Sequence, residues 1–314
     1  MKTKLLTLSI VCIASLSSGC QTEMEETIKI ASSDITTRSI NSYSRDLTED
    51  ERESLTRAFP QLNLSAVKVT GPATASYNCI AYSLGIRNQW INPPQSEEEF
   101  ADLYYKHGYD MVSGGFYNII GYGSSSRMLH ASVRTRDWES KLGKSIRIAH
   151  PETANFEPTY GSPKFRFAPI TTKSIQTDSS IIQLVNITLQ EKQIIQQKCL
   201  SINKGKKQQF DTLFNQWIKN WETNPETMFS NDTQDAKQLE EYPQLLAMGK
   251  EILPLVVEQL LDEKNFVGLV LYDELQDNPD CKIVYDYIDP IWMEGEANRA
   301  KRTVKLWVKS VTEE

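Results

Sequence analysis

The chain has 314 residues, with 41 acidic against 34 basic side chains and a formal charge of −7. Such a balance argues against nucleic acid as a partner and against a basic membrane-binding face. No apolar stretch reaches the roughly 20 residues that cross a bilayer, and the length suits two modest domains.

In chain order, Lys2 and Lys4 precede an apolar run from Leu5 to Leu16, then Ser17, Ser18, Gly19 and Cys20. Charge, apolar run and small residues in that order make a secretory signal over 1–19. The Gly19-Cys20 pair resembles a lipobox, although Ser17 stands where a Leu is usual. The resemblance implies that Cys20 is the lipid attachment and that the protein is an outer-membrane lipoprotein of the cell envelope, held to the membrane through that lipid. Glu23, Glu25 and Glu26 follow, and this acidic cluster resembles the surface-export signal of Bacteroidetes lipoproteins. Residues 20–45 are rich in Ser and Thr and too weakly apolar to bury a core, so they read as a flexible tether.

Residues 46–170 read as helices first and then an antiparallel sheet, an α+β order. Ile80, Ala81 and Leu84 suit one short buried helix turning off at Gly85. Ser96 and Glu99 form a capping box opening a helix whose apolar face is Phe100, Leu103 and Tyr104. The period then changes. Phe116–Tyr122 and Arg127–Arg134 are expected strands joined by a turn at 123–126. Further strands are expected near Trp138–Leu142, Ser145–Ala149 and Lys164–Ile170. Residues 171–180 read as a linker.

Residues 181–314 read as an all-α, HEAT-like domain of short helices. Thr188 and Glu191 form another capping box. Phe210, Leu213, Phe214, Trp217 and Trp221 recur at helical spacing as a buried stripe. No clean repeat period is present, and this half is the expected surface for a protein partner.

Three cysteines follow Cys20, namely Cys79, Cys199 and Cys281. The number is odd, so at least one thiol stays free. Cys79 falls at the start of its short helix, where unpaired N–H groups and the helix dipole favour a thiolate, the competent nucleophile. A nucleophile of this kind needs a base, and the histidines are His107, His130 and His150. His107 sits at a helix C-terminus, a position the dipole favours in itself. His130 lies on a strand and shares a face with Met128, Ser132 and Arg134, a polar and cleft-like set. A third group orients the imidazole in such sites. Ser140, Glu139 and His150 are all candidates, with Ser140 opposite His130 across the hairpin. Lys141 is a poor orienter because it only donates. Cys79, His130 and His150 lack the close ligand pair of a zinc site. No phosphate-cradling glycine loop is present, so neither metal nor cofactor is expected.

The runs VTGPATASYNCIAYSLG, EEFADLYYKHGYD, LHASVRTRDWESKLGKSIRIAH and YGSPKFRF, with Trp90 and Pro93, resemble a family of uncharacterised bacterial domains. Its pattern is a YNCIAW-type helix, a His-Ala strand, a W-x-S-K-L-G strand and an I-x-H end. Tyr82 stands where that family often has Trp. The family is similar to papain-like, NlpC/P60-type cysteine hydrolases in the order helix-Cys, strand-His, polar third residue. The resemblance covers about residues 58–167. It implies Cys79 as nucleophile, His130 as base, His150 as the later histidine, and a peptide or peptidoglycan peptide as substrate. The alternative expectation is a non-catalytic surface lipoprotein with a degenerate hydrolase fold and a partner-binding helical half.

Overall fold

The computed structural model describes residues 44–124, 127–170, 185–285 and 290–313. The expected signal peptide, Cys20, nearly all of the tether, part of the 123–126 turn and the 171–180 linker lie outside the described residues. The last tether residue is already folded, because Arg45 exchanges both backbone hydrogen bonds with Val69 and its guanidinium pairs with Glu51 at 2.6 Å.

A capping box of Thr48 and Glu51 opens helix α1, Glu49–Ala58. Strand β1 is Lys68–Gly71. Helix α2, Cys79–Ser83, is short and wholly buried. Helix α3, Glu97–Lys106, starts at the expected capping box of Ser96 and Glu99, and His107 caps its C-terminus. Six strands follow: β2 Tyr109–Met111, β3 Ile119–Gly123, β4 Met128–Arg134, β5 Trp138–Lys141, β6 Arg147–His150 and β7 Ser162–Pro169. With β1 they form one antiparallel sheet in the order β1-β6-β5-β4-β3-β7-β2.

The sequence misses β1 and β2, four and three residues long at the two edges of the sheet. Both are too short for a period of two to stand out. The expected strand from Phe116 starts only at Ile119, and Phe116 is 67% exposed.

The two faces of the sheet carry different cores, because successive side chains on a strand point to opposite faces. One face gathers Val69, Ile120, Tyr122, Trp138 and Ile148 under Phe59, Phe156 and Tyr160. The other gathers Ile119, Ala131, Val133 and Phe167 under α2 and α3, including Cys79, Phe100 and Tyr104. A register shift at Tyr122/Gly123 skips Leu129 in the pairing with β3. That bulge takes Met128 out of phase, so it joins the α2/α3 core instead of the face of Ser132 as expected.

The C-terminal region is helical: α4 Leu189–Leu200, α5 Lys204–Thr223, α6 Glu241–Ala247, α7 Leu253–Gln259, α8 Gly268–Leu275 and α9 Gly295–Thr312. Thr188 and Glu191 cap α4 as expected. The stripe Phe210, Phe214, Trp217 and Trp221 is buried among α4 to α9, each side chain contributing about 2–3 kcal/mol of apolar burial. No helix among the described residues is long and apolar enough to cross a membrane.

After α5 the chain does not stay with the helices. Residues 228–233 cross onto the sheet module. Met228 O accepts from Lys144 N at 2.8 Å, Phe229 O from the Tyr160 hydroxyl at 2.7 Å, and Asn231 O from Asn78 Nδ2 at 3.1 Å. Gly143 makes this approach possible. Its φ is +51°, and a Cβ there would lie 2.5 Å from Phe229 C and 2.6 Å from Met228 O. From Ser44 onward the chain is therefore one compact unit.

Candidate active site

Asn78 starts α2. Its Oδ1 accepts from Ala81 N at 3.2 Å, and its Nδ2 donates to Ile91 O at 2.6 Å. Cys79 is thus the first helical residue, as the sequence indicates, but the expected low thiol pKa does not follow. Cys79 is 0% exposed. Burial pushes its thiol up to about 12, although the Ala131 backbone N–H and the Lys141 charge act the other way. A five-residue helix offers little dipole, and desolvation of an anion outweighs it.

The Ala131 N–H places the thiol on the α2/α3 face of β4, whereas His130, one residue earlier, packs with Tyr160 and Phe156 on the other face. No hydrogen bond joins Cys79 to His130 among the described residues. His130 is fully buried, not cleft-lining as expected. Its ring stacks on Tyr160 with centroids 4.0 Å apart and planes 6° from parallel, and Phe156 lies tilted beside it at 5.4 Å.

Ser140 is the third group. Its Oγ is 3.0 Å from His130 Nε2, 2.9 Å from His150 Nε2 and 2.7 Å from Ser132 Oγ. The protons in this chain are fixed by what each partner lacks. His150 Nδ1 is 2.8 Å from Pro151 O, and a carbonyl only accepts, so that nitrogen carries the proton. His150 Nε2 then accepts, and Ser140 donates its one proton to it. His130 Nε2 must therefore donate to Ser140, which leaves the His130 lone pair on Nδ1. That nitrogen is buried and has no hydrogen-bond partner among the described residues. Both rings are held neutral. Burial drives His130 well below the ordinary histidine value, with His150 adding to it, and burial brings His150 down to about 4.

Glu139 faces the opposite side of the sheet. It accepts from the Tyr82 hydroxyl and lies 3.6 Å from Arg147 Nε. It does not approach His130. Lys141 shares that face and is 0% exposed. Burial pulls its pKa down to about 7. Against this, Thr74 O, Gly143 O and Ser145 O all accept from its Nζ. Three acceptors match the three donors of an ammonium, so the charged form is the one the site is built for. Its role is to pin the loop before α2 to the end of β5.

Residues 68–168 match the family model of a domain of unknown function (DUF7689). The DUF7689 segment contains Cys79, His130, Ser140 and His150, but not the strap at 228–233. No curated protein and no solved structure matches the chain.

Asn231 has no local sequence signal and lies 152 residues from Cys79. Its Oδ1 accepts from Cys79 N at 3.3 Å, and its Nδ2 donates to Leu129 O at 3.1 Å. Elsewhere, His107 Nδ1 is tied to Leu103 O, away from this site. Cys199 and Cys281 are both free, and Cys199 Sγ donates to Pro254 O. Among the described residues, no three of His, Cys, Asp and Glu gather in a group able to hold a metal ion.

Proposed function

We propose that the chain is a lipid-anchored cell-envelope cysteine hydrolase that cleaves amide bonds, with a papain-like, NlpC/P60-like module and a HEAT-like helical half. One observation bears on this reading: the Ser140–His150 chain leaves an unpaired Nδ1 on His130, one strand position from the Ala131 N–H that holds the Cys79 thiol. Because the two side chains face opposite sides of the sheet, catalysis requires β4 to turn His130 towards α2. A neutral imidazole with its lone pair free and its other nitrogen anchored is the form a general base takes.

The chemistry balances on these groups. With His130 turned towards Cys79, Nδ1 takes the Cys79 proton as Sγ attacks the carbonyl carbon. The C–N bond then breaks, and the amine leaves with the proton from Nδ1. Water, deprotonated by Nδ1, cleaves the thioester and returns the proton to sulfur. Peptides, including peptidoglycan stem peptides, are the proposed substrates. The helical half is the proposed protein-binding surface, and Cys20 the lipid attachment to an outer membrane.

The second reading, a non-catalytic lipoprotein with a degenerate hydrolase module, draws on the sealing of Cys79 and its raised pKa. Amine release from cell-wall peptides separates the two. The hydrolase reading expects release by the wild type and none by Cys79→Ala. Equal release by both proteins, or none by a wild type whose Cys79 is freely alkylated, supports the second reading.

A further inference from the structure

Asn231 occupies an unusual place. Its carboxamide is bracketed by two backbone groups of the candidate site. The oxygen sits on the N–H of the cysteine itself, where the oxygen of an attacked carbonyl would need a donor. The nitrogen sits on the carbonyl of Leu129, the residue before His130. An amide has one acceptor end and one donor end, and both are satisfied here. Asn231 also lines a cleft of about 140 Å³, together with Leu129, Thr159 and Tyr160. The same side chain therefore separates the cleft from the Cys79 backbone.

The segment carrying Asn231 is tied down on both sides. Arg127 reaches Asp232 Oδ2 at 2.5 Å and Asp235 Oδ1 at 3.4 Å. Thr233 N donates to Asn92 Oδ1 at 3.1 Å, and Asn92 Nδ2 donates to Thr233 Oγ1 at 2.9 Å. We infer that residues 228–233 form an intramolecular strap that keeps the thiol site shut, with the Asn231 carboxamide filling the seat of a substrate amide. The word substrate rests on the hydrolase reading; the seat and its occupant rest on the hydrogen bonds alone. The thiol packs into the α2/α3 core, and the strap covers the backbone N–H beside it. It must be displaced before any amide is cleaved.

The test uses the full chain and two neutral alkylating agents of similar size, iodoacetamide and iodoacetonitrile, at pH 9.5. Only the first carries a carboxamide. Labelling of Cys79 is read by peptide mass spectrometry, which separates it from Cys199 and Cys281. Asn231→Ala empties the seat. Asn231→Asp keeps the shape and the acceptor but sets a carboxylate against Leu129 O, so it loosens the strap without leaving a hole. Both variants are expected to label with iodoacetamide about tenfold or more faster than the wild type, since two hydrogen bonds hold the seat. Iodoacetonitrile is expected to gain less. Unchanged labelling in both folded variants overturns the strap. Equal acceleration by the two reagents overturns the amide seat. At this pH alkylation needs no base from the protein, so the result is independent of His130. A strap that opens this way over a protein that hydrolyses nothing would mark the failure of the hydrolase reading alone.

Discussion

Replacing Ser140 with Ala removes the one atom that joins the two histidines. In the wild type its Oγ takes the proton of His130 Nε2 and gives its own to His150 Nε2. The variant leaves one buried donor and one buried acceptor without partners, at about 1–3 kcal/mol each, so the loss is about 2–6 kcal/mol together. That is a large part of the 5–15 kcal/mol typical of a folded protein. Ser132→Ala is the companion. Ser132 touches Ser140 and Tyr122 at 2.7 and 3.3 Å, and its loss strands neither imidazole, so about 1 kcal/mol is expected. Urea denaturation at pH 7.5, with equal slopes for the variants and the wild type, measures both. A Ser140→Ala loss no larger than that of Ser132→Ala would refute the proton assignment, because it would mean that neither histidine relies on this hydroxyl.

Further outcomes follow from the same geometry. The folded state holds His150 at about 4 against 6.5 for the unfolded chain, so the unfolded state binds more protons between those values. Stability is thus full above pH 6.5 and falls as pH drops through 6.5 towards 4, by about 3 kcal/mol for this residue, and His130 shifts in the same direction. Urea midpoints that stay flat from pH 7.5 to 4.5 would contradict this. Gly143→Ala adds a Cβ against the backbone of residues 228 and 229 at a φ of +51°. The cost is at least about 1–3 kcal/mol, read as a lower melting temperature, and faster Cys79 alkylation is expected as the strap is pushed off. A melting temperature equal to the wild type would show that the strap does not press on this turn.

Local features were legible in the sequence where their cause is local. The capping boxes at Ser96 and Thr188 form as expected, because each joins residues three apart. The stripe from Phe210 to Trp221 is core, because helical spacing alone puts those rings on one side. Ser140 was one of three open candidates for orienting His130. The structure selects it through the register of β4 and β5, which sets Val133 against Glu139 and turns Glu139 to the other face. His150 enters at one remove, through Ser140. What the sequence hides is long in range. The contacts of Asn231 with Cys79 and Leu129 span more than a hundred residues and leave no periodic trace, so the site reads as open when it is covered. The low thiol pKa failed for a related reason: helix position is local, whereas burial in a core assembled from distant elements is not.

Nitrogen-15 NMR of the histidine side chains tests the centre of this account. At pH 7.5 the His130 signals should show a proton on Nε2 and a bare Nδ1, with His150 protonated on Nδ1. A proton on His130 Nδ1 would remove the free lone pair that the mechanism needs and would contradict it.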